Sequence, residues 1–382
     1  MEKIIYINSV ASDKKIQDAL KSYTNSDWDN YFKIPKHCSY ELYPRTGINN
    51  FLFKNELVDF LQCYVPKYDP TFNLTFSDIT DLKTQQLLVN KNNKKWLIFW
   101  SGGIDSTVPI VSILKILSQA DRERVVIACN RHSVYENPHF FFKYIKPNFT
   151  LIDSTNLYFT EELLNEYYII DGELADNLYG NPLKRFLVTN NGSSILKNWR
   201  TDPDELINSL ANSSKEMDND KKFAIWFYEK IKENIESVDV PVENYYDFFW
   251  WCLFNYAWFD LTFRNLKRTP SDISSATNCI ANDTFWYGTN EYQLWAMNNR
   301  LGVRYGTNIG ERKLASKKYI YEFDHNEYYF KFKTKTASTG RLSIDSVTQF
   351  SCLTDDYTKL YIDRDENKII ELLPTHINLK GN

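Results

Sequence analysis

The chain has 382 residues, 43% of them hydrophobic and 25% charged, so it is too long for one minimal domain and apolar enough to bury a large core. Its 45 Lys and Arg against 49 Asp and Glu leave a net charge of −4, which lacks the basic footprint of a nucleic-acid binder. Six cysteines, dispersed at 38, 63, 129, 252, 279 and 352 without a CxxC pair, argue against a zinc site or a disulfide scaffold and fit reduced thiols in the cytoplasm.

In chain order, the opening MEKIIYINSV carries no apolar core of a secretory signal. Residues 1–90 read as a mixed region of unknown role, with helical stretches near 12–23 and 55–64. The polar run KNNKK at 91–95 is a surface turn, and WLIFW at 96–100 is a short buried strand. After SGGIDST at 101–107, Ile110, Val111, Ile113, Leu114 and Leu117 fall on helical spacing, and VVIACN at 125–130 is a second buried strand. Strand, glycine turn, helix, strand is the order of a parallel α/β layer. Residues 160–168 read as a helix, followed by Ile169 and Ile170 and then DGELADNLYG at 171–180. Residues 203–263 are mostly helical, including KKFAIWFYEKIKENIESV at 221–238. The segment 245–263, YYDFFWWCLFNYAWFDLTF, approaches the length of a membrane span. Asp247, Asn255 and Asp260 interrupt it, and ionisable groups at membrane depth are expensive, so a buried or cleft-lining helix and no membrane contact are expected. From 321 onward the pattern alternates, as in YYFKFKT, which predicts a small β-rich piece over 321–382, with Lys331, Lys333 and Lys335 on a solvated strand face.

The turn between the first strand and the first helix is a candidate phosphate site. Backbone N–H groups at a helix start point at an anion, at the positive end of the helix dipole. Gly102 and Gly103 permit a close approach, and Ser101, Ser106 and Thr107 add hydroxyl donors. Asp105 repels a bare phosphate, so its presence calls for a Mg²⁺ between its carboxylate and the phosphate oxygens.

This segment resembles the PP-loop, SGGxDS/T, of the ATP pyrophosphatases, and no GxxxxGK[ST] occurs in the chain. The resemblance implies a parallel sheet flanked by helices of the adenine nucleotide alpha hydrolase-like kind. It implies ATP and Mg²⁺ as cofactors and cleavage between the α and β phosphates. DGELADNLYG is similar to the asparagine synthetase segment SGEGxDELFGGY. Gly172, Glu173, Asp176, Leu178 and Gly180 match in register, whereas Asp171, Leu174, Asn177 and Asn181 depart from it. In that family the residue matching Glu173 helps to deprotonate the attacking amine and the one matching Asp176 binds Mg²⁺. The likeness thus assigns Glu173 to catalysis, Asp105 and Asp176 to the metal, and Gly172 to the nucleotide loop. Two carboxylates three residues apart at a loop–helix junction can indeed point into one cleft, one at a metal and one at a proton. Residues 279–297 lie where the family has E-x-R-x-PFLD, of which Phe285 and a following helical pattern remain. KKYIYEF at 317–323 is similar to the family's K-H/Y-I-L-R, which would make Lys318 the lysine that neutralises the α-phosphate and the leaving pyrophosphate.

The resemblance covers about 94–322 and places the synthetase-like domain at 91–320. The first 90 residues are too short for the family's glutaminase half, and residue 2 is Glu2 rather than Cys. It implies an ATP-dependent amide-forming ligase acting on a small-molecule carboxylate and an amine or ammonia, with a separate amine-donor protein as one route. Neither membrane nor nucleic acid is an expected partner. Two other readings stay open: a PP-loop enzyme modifying a nucleobase or tRNA, which calls for a basic face or a catalytic Cys pair, and a non-catalytic nucleotide-binding protein with a degenerate site.

Overall fold

Four short apolar runs become one parallel sheet. In this computed structural model the described residues are 45–46, 65–89, 94–155, 157–180, 196–211, 221–258, 285–299 and 313–333. The expected helices near 12–23 and 55–64, Asp260, Lys335 and residues 334–382 lie outside them. In chain order the elements are α1 (Phe76–Val89), β1 (Lys95–Phe99), α2 (Ile104–Ile116), β2 (Val125–Cys129), α3 (Arg131–Glu136), β3 (Thr150–Asp153), α4 (Glu161–Glu166), β4 (Tyr167–Ile170) and α5 (Ala175–Tyr179). There follow α6 (Pro203–Ala211), α7 (Lys221–Glu236), α8 (Tyr245–Tyr256), α9 (Asn290–Asn298), α10 (Leu314–Asp324) and α11 (Glu327–Phe332).

The two expected strands form within a residue of their predicted bounds. The strands TLID and YYII are additions that four-residue runs could not announce. Sheet order is β3-β2-β1-β4, all parallel, with Leu97 opposite both Val126 and Ile169. Leu97, Val126, Ala128, Ile152, Tyr167 and Ile169 meet Phe159, Leu163 and Leu164 in one core cluster. The alternate residues Trp96, Ile98 and Ile127 are buried as well. Strands buried on both faces read as continuous apolar runs, which is why WLIFW and VVIAC show no alternation. The chain is an α/β protein: a four-stranded parallel sheet with flanking helices.

By contact, the chain divides into two compact units, Met1–Tyr68 with Gly180–Leu261 and Asp69–Tyr179 with Thr262–Asn382. Helix α1, placed by sequence in the N-terminal region, packs on α2, and α10 packs on both, all within the sheet-bearing unit.

The predicted β-rich piece does not form over the described part of 321–382, since 321–324 and 327–332 are helical. Asn326 caps α11 by accepting from the Tyr329 amide at 2.9 Å, and Lys331 bonds Glu327 one turn back at 2.8 Å. A capped turn with an i,i+4 ion pair outweighs six residues of alternation. Lys331 is exposed, but Lys333, expected on the same solvated face, is buried in an ion pair with Glu136.

In the other unit, all twelve residues of α8 are buried. Its polar members close backbone groups. Asn244 caps the helix by accepting from the Asp247 amide at 2.9 Å, and Asp247 accepts from the Glu243 amide at 3.2 Å. Asn255 accepts from the Arg45 amide at 2.9 Å and donates to Asn234 at 2.7 Å. Among the described residues no helix is long and apolar enough to cross a membrane.

Candidate active site

The strand order creates the site. From β1 the chain runs outward to β2 and β3, then crosses back to lay β4 on the other side of β1. A parallel sheet opens a crevice at such a reversal, beyond the carboxyl ends of the two strands. SGGIDST leaves the end of β1 and DGELAD leaves the end of β4, so the two motifs 70 residues apart emerge side by side.

The first loop is built for close approach. Gly102 has φ 75°, and a Cβ there would lie 2.3 Å from the Ser133 carbonyl oxygen and 2.6 Å from Glu136 Cβ. Only glycine permits this turn against α3. By contrast, a Cβ on Gly103 would meet only Ser101 Oγ, at 3.2 Å, so that side of the loop is open. Gly103 caps α2 with no side-chain cap bond, which leaves first-turn N–H groups for an anion. Of the three hydroxyls, Ser101 belongs to an exposed residue. Ser106 is turned inward, accepting from the Ser101 amide at 3.0 Å. Thr107 is fully buried; it donates to the Gly103 carbonyl at 2.7 Å and accepts from the Trp100 indole at 3.1 Å. These two brace the loop from behind.

The second loop is strained where it departs from the family pattern. Leu174 has φ 68°, a left-handed conformation at the position where the resembled motif carries glycine. Such a backbone costs about 1–3 kcal/mol for a side chain other than glycine. Asp171 accepts from the Glu173 amide at 3.1 Å and closes the turn. Gly172 acts by proximity: a Cβ there would fall 2.8 Å from the Asp105 carbonyl carbon and the Ser106 nitrogen. It therefore lets the second loop lie against the first turn of α2. Glu173 is half-buried beside it.

Asp105 and Asp176 are brought together by a residue that sequence reasoning missed. Lys313 bonds the Asp105 carboxylate, and its Nζ lies 2.6 Å from Asp176 Oδ1. Its side chain is 7% exposed, against 26% for Asp105 and 36% for Asp176. Burial by itself would depress the ammonium's pKa. The two carboxylates, Asp105 first, outweigh it and hold the pKa above the ordinary lysine value. Lys313 caps α10 with φ 53°, again left-handed. The expected lysine, Lys318, is instead exposed on α10 and is not part of the cluster. One signal was available: a cation at a helix start opposes the helix dipole and calls for an anionic partner.

A layer of buried aromatics supports the cluster. Phe285 bridges Asp171 in parallel register, and the Tyr287 hydroxyl donates to the Asp105 carbonyl at 2.9 Å. Tyr179 pairs with the Ser316 hydroxyl at 2.7 Å, which ties α5 to α10. Burial raises the pKa of both tyrosines well above the usual range, so both hydroxyls stay protonated.

Two carboxylates suit a Mg²⁺, which binds through one or two carboxylates together with phosphate oxygens and water. Among the described residues no group of three or more His, Cys, Asp or Glu could hold a metal, so no cage made of protein ligands alone occurs there. The chain matches no protein-family model, no curated protein and no solved structure.

Proposed function

We propose that this protein is an ATP-dependent amide-forming ligase of the asparagine synthetase-like PP-loop type. One observation carries the reading: the SGGIDST and DGELAD loops meet at the sheet's reversal point, with Asp105 and Asp176 sharing the single ammonium of Lys313. Sequence likeness assigned the two carboxylates to one metal, and they come together without having been chosen for proximity.

In this reading the first-turn amides of α2 and Ser101 hold the phosphates. A Mg²⁺ held by Asp105 and Asp176 would supply neutralising charge to the triphosphate. The substrate carboxylate attacks the α-phosphorus, the bond to the α–β bridging oxygen breaks, and pyrophosphate leaves with that electron pair. Lys313 supplies positive charge beside it, the role that sequence alone gave to Lys318. An amine then attacks the acyl-adenylate carbonyl and AMP leaves. Glu173, at the turn between the two carboxylate-bearing segments, accepts the amine's proton.

The test is product analysis. Protein incubated with Mg-ATP, a panel of carboxylic acids and ammonia should form AMP and pyrophosphate in an acid-dependent manner. ADP and phosphate as the sole products would overturn the assignment.

A further inference from the structure

We propose that the Lys313 ammonium and a divalent metal ion are alternative occupants of the Asp105–Asp176 pair, so that the site admits a metal only together with the nucleotide. The inference rests on the reading of this site as an ATP site. The two carboxylates already share one full positive charge, with Nζ at 2.6 Å from Asp176 Oδ1 and bonded to Asp105. A Mg²⁺ sits about 2.0–2.1 Å from each oxygen it binds. An ion on these same oxygens would therefore lie within contact distance of the ammonium. Because the Lys313 side chain is only 7% exposed, water does little to screen that repulsion.

The lysine is placed to yield. Its backbone is fixed at the head of α10, where Ser316 is locked to Tyr179 by the 2.7 Å hydroxyl contact and a 3.0 Å bond from the Ser316 amide. The side chain retains the freedom of its four-carbon stem. At a helix start the ammonium opposes the dipole, so only the carboxylates hold it there. A triphosphate arriving on the α2 amides offers the ammonium a denser set of anionic oxygens next to its present partners. Moving onto them frees Asp105 and Asp176 for the metal. Metal and nucleotide then favour each other's binding, and the coupling is reciprocal.

The probe is Mn²⁺ alone, titrated without nucleotide and followed by the electron paramagnetic resonance signal of the free ion. Wild-type protein should bind weakly. Lys313→Met should bind at least ~10-fold tighter, a gain of about 1.4 kcal/mol. Adding Asp176→Asn to that variant should abolish the gain. Lys313→Gln, which keeps hydrogen-bond donors for both carboxylates, should show the same gain if the Met variant does not fold. Mg²⁺ alone should raise the melting temperature of either variant and leave that of wild type unchanged until α,β-methylene-ATP is added. Wild type binding Mn²⁺ alone as tightly as the variants, or melting higher with Mg²⁺ alone, would overturn the proposal. The two readings fail separately. Tight Mn²⁺ binding by the variants without AMP formation by wild type would sink the ligase assignment and leave the competition standing. AMP formation by a wild type that binds Mn²⁺ tightly on its own would do the reverse.

Discussion

Two of the buried lysines in the sheet-bearing unit, Lys333 and Lys313, form ion pairs in contrasting settings. Lys333 pairs with Glu136 where neither side chain is more than 1% exposed, and it also donates to the Glu136 carbonyl at 3.3 Å. Lys313 is buried too, but the two carboxylates it holds are about a quarter and a third exposed. The sealed pair lies behind the Gly102–Gly103 turn, since Glu136 is the side chain against which Gly102 turns. A sealed ion pair has no approach for a ligand, so its consequence is structural. A half-open one keeps its charges within reach of an incoming ion, so its consequence is chemical. The two also serve one architecture, because α10 follows Lys313 and α11 ends at Lys333, and the two helices pack on each other.

The largest expected effect comes from breaking the sealed pair on one side. Lys333→Met leaves the Glu136 carboxylate buried and should cost about 3–5 kcal/mol in urea unfolding. The double variant Lys333→Met/Glu136→Leu should recover most of that loss, since two apolar side chains bury no charge. A double variant as unstable as the single one would show that the pair has a role beyond charge balance.

In the open site, effects should appear in turnover rather than in folding. Glu173→Gln should lower amide formation by about 10²–10⁴-fold while acid-dependent ATP–pyrophosphate exchange persists, because adenylation needs no base for an amine. Equal loss in both assays would move Glu173 to nucleotide binding. Gly172→Ala forces a methyl into the backbone of Asp105 and Ser106, 2.8 Å away, and should lower both half-reactions together by roughly 10²-fold through misplacement.

Smaller effects sharpen the contrast. Lys313 has its folded pKa raised above the unfolded value, so its stabilising contribution is complete below about pH 10.4, the ordinary lysine value. That contribution is lost only as pH climbs through the higher folded value. Urea midpoints at pH 7 and pH 9 should therefore show no loss attributable to this cluster, with a decline beginning above pH 10. Smallest of all is Lys318→Ala: an exposed lysine outside the cluster should change stability by less than about 0.5 kcal/mol and leave pyrophosphate release unaltered. A large loss of activity there would return Lys318 to the role that sequence likeness gave it.

Much of the frame was legible because it is written locally. WLIFW and VVIAC announced buried strands, the glycine turn announced the start of α2, and the helical pattern at 221–238 announced α7. The two acidic loops were legible as motifs, including the position where Leu174 now carries a left-handed backbone. Short alternation was misleading at 327–332, where a cap and one ion pair within a turn chose helix over strand.

The sequence by itself determined the strand–loop–helix units and the two acidic loops, since hydrophobic period, glycine turns and acidic spacing act over a few residues. Only the tertiary structure decided which lysine serves which charge. Lys313, Lys317, Lys318 and Lys333 are alike in composition and similar in local setting, and Lys313 lies roughly one and a half helical turns before Lys318. What separates them is which one meets carboxylates 137 to 208 residues away in the chain, once β4 has crossed to the far side of β1 and brought Asp176 beside Asp105. An ion pair stabilises only when geometry and burial exclude water from it, and for partners so distant in sequence that geometry exists only in the folded chain.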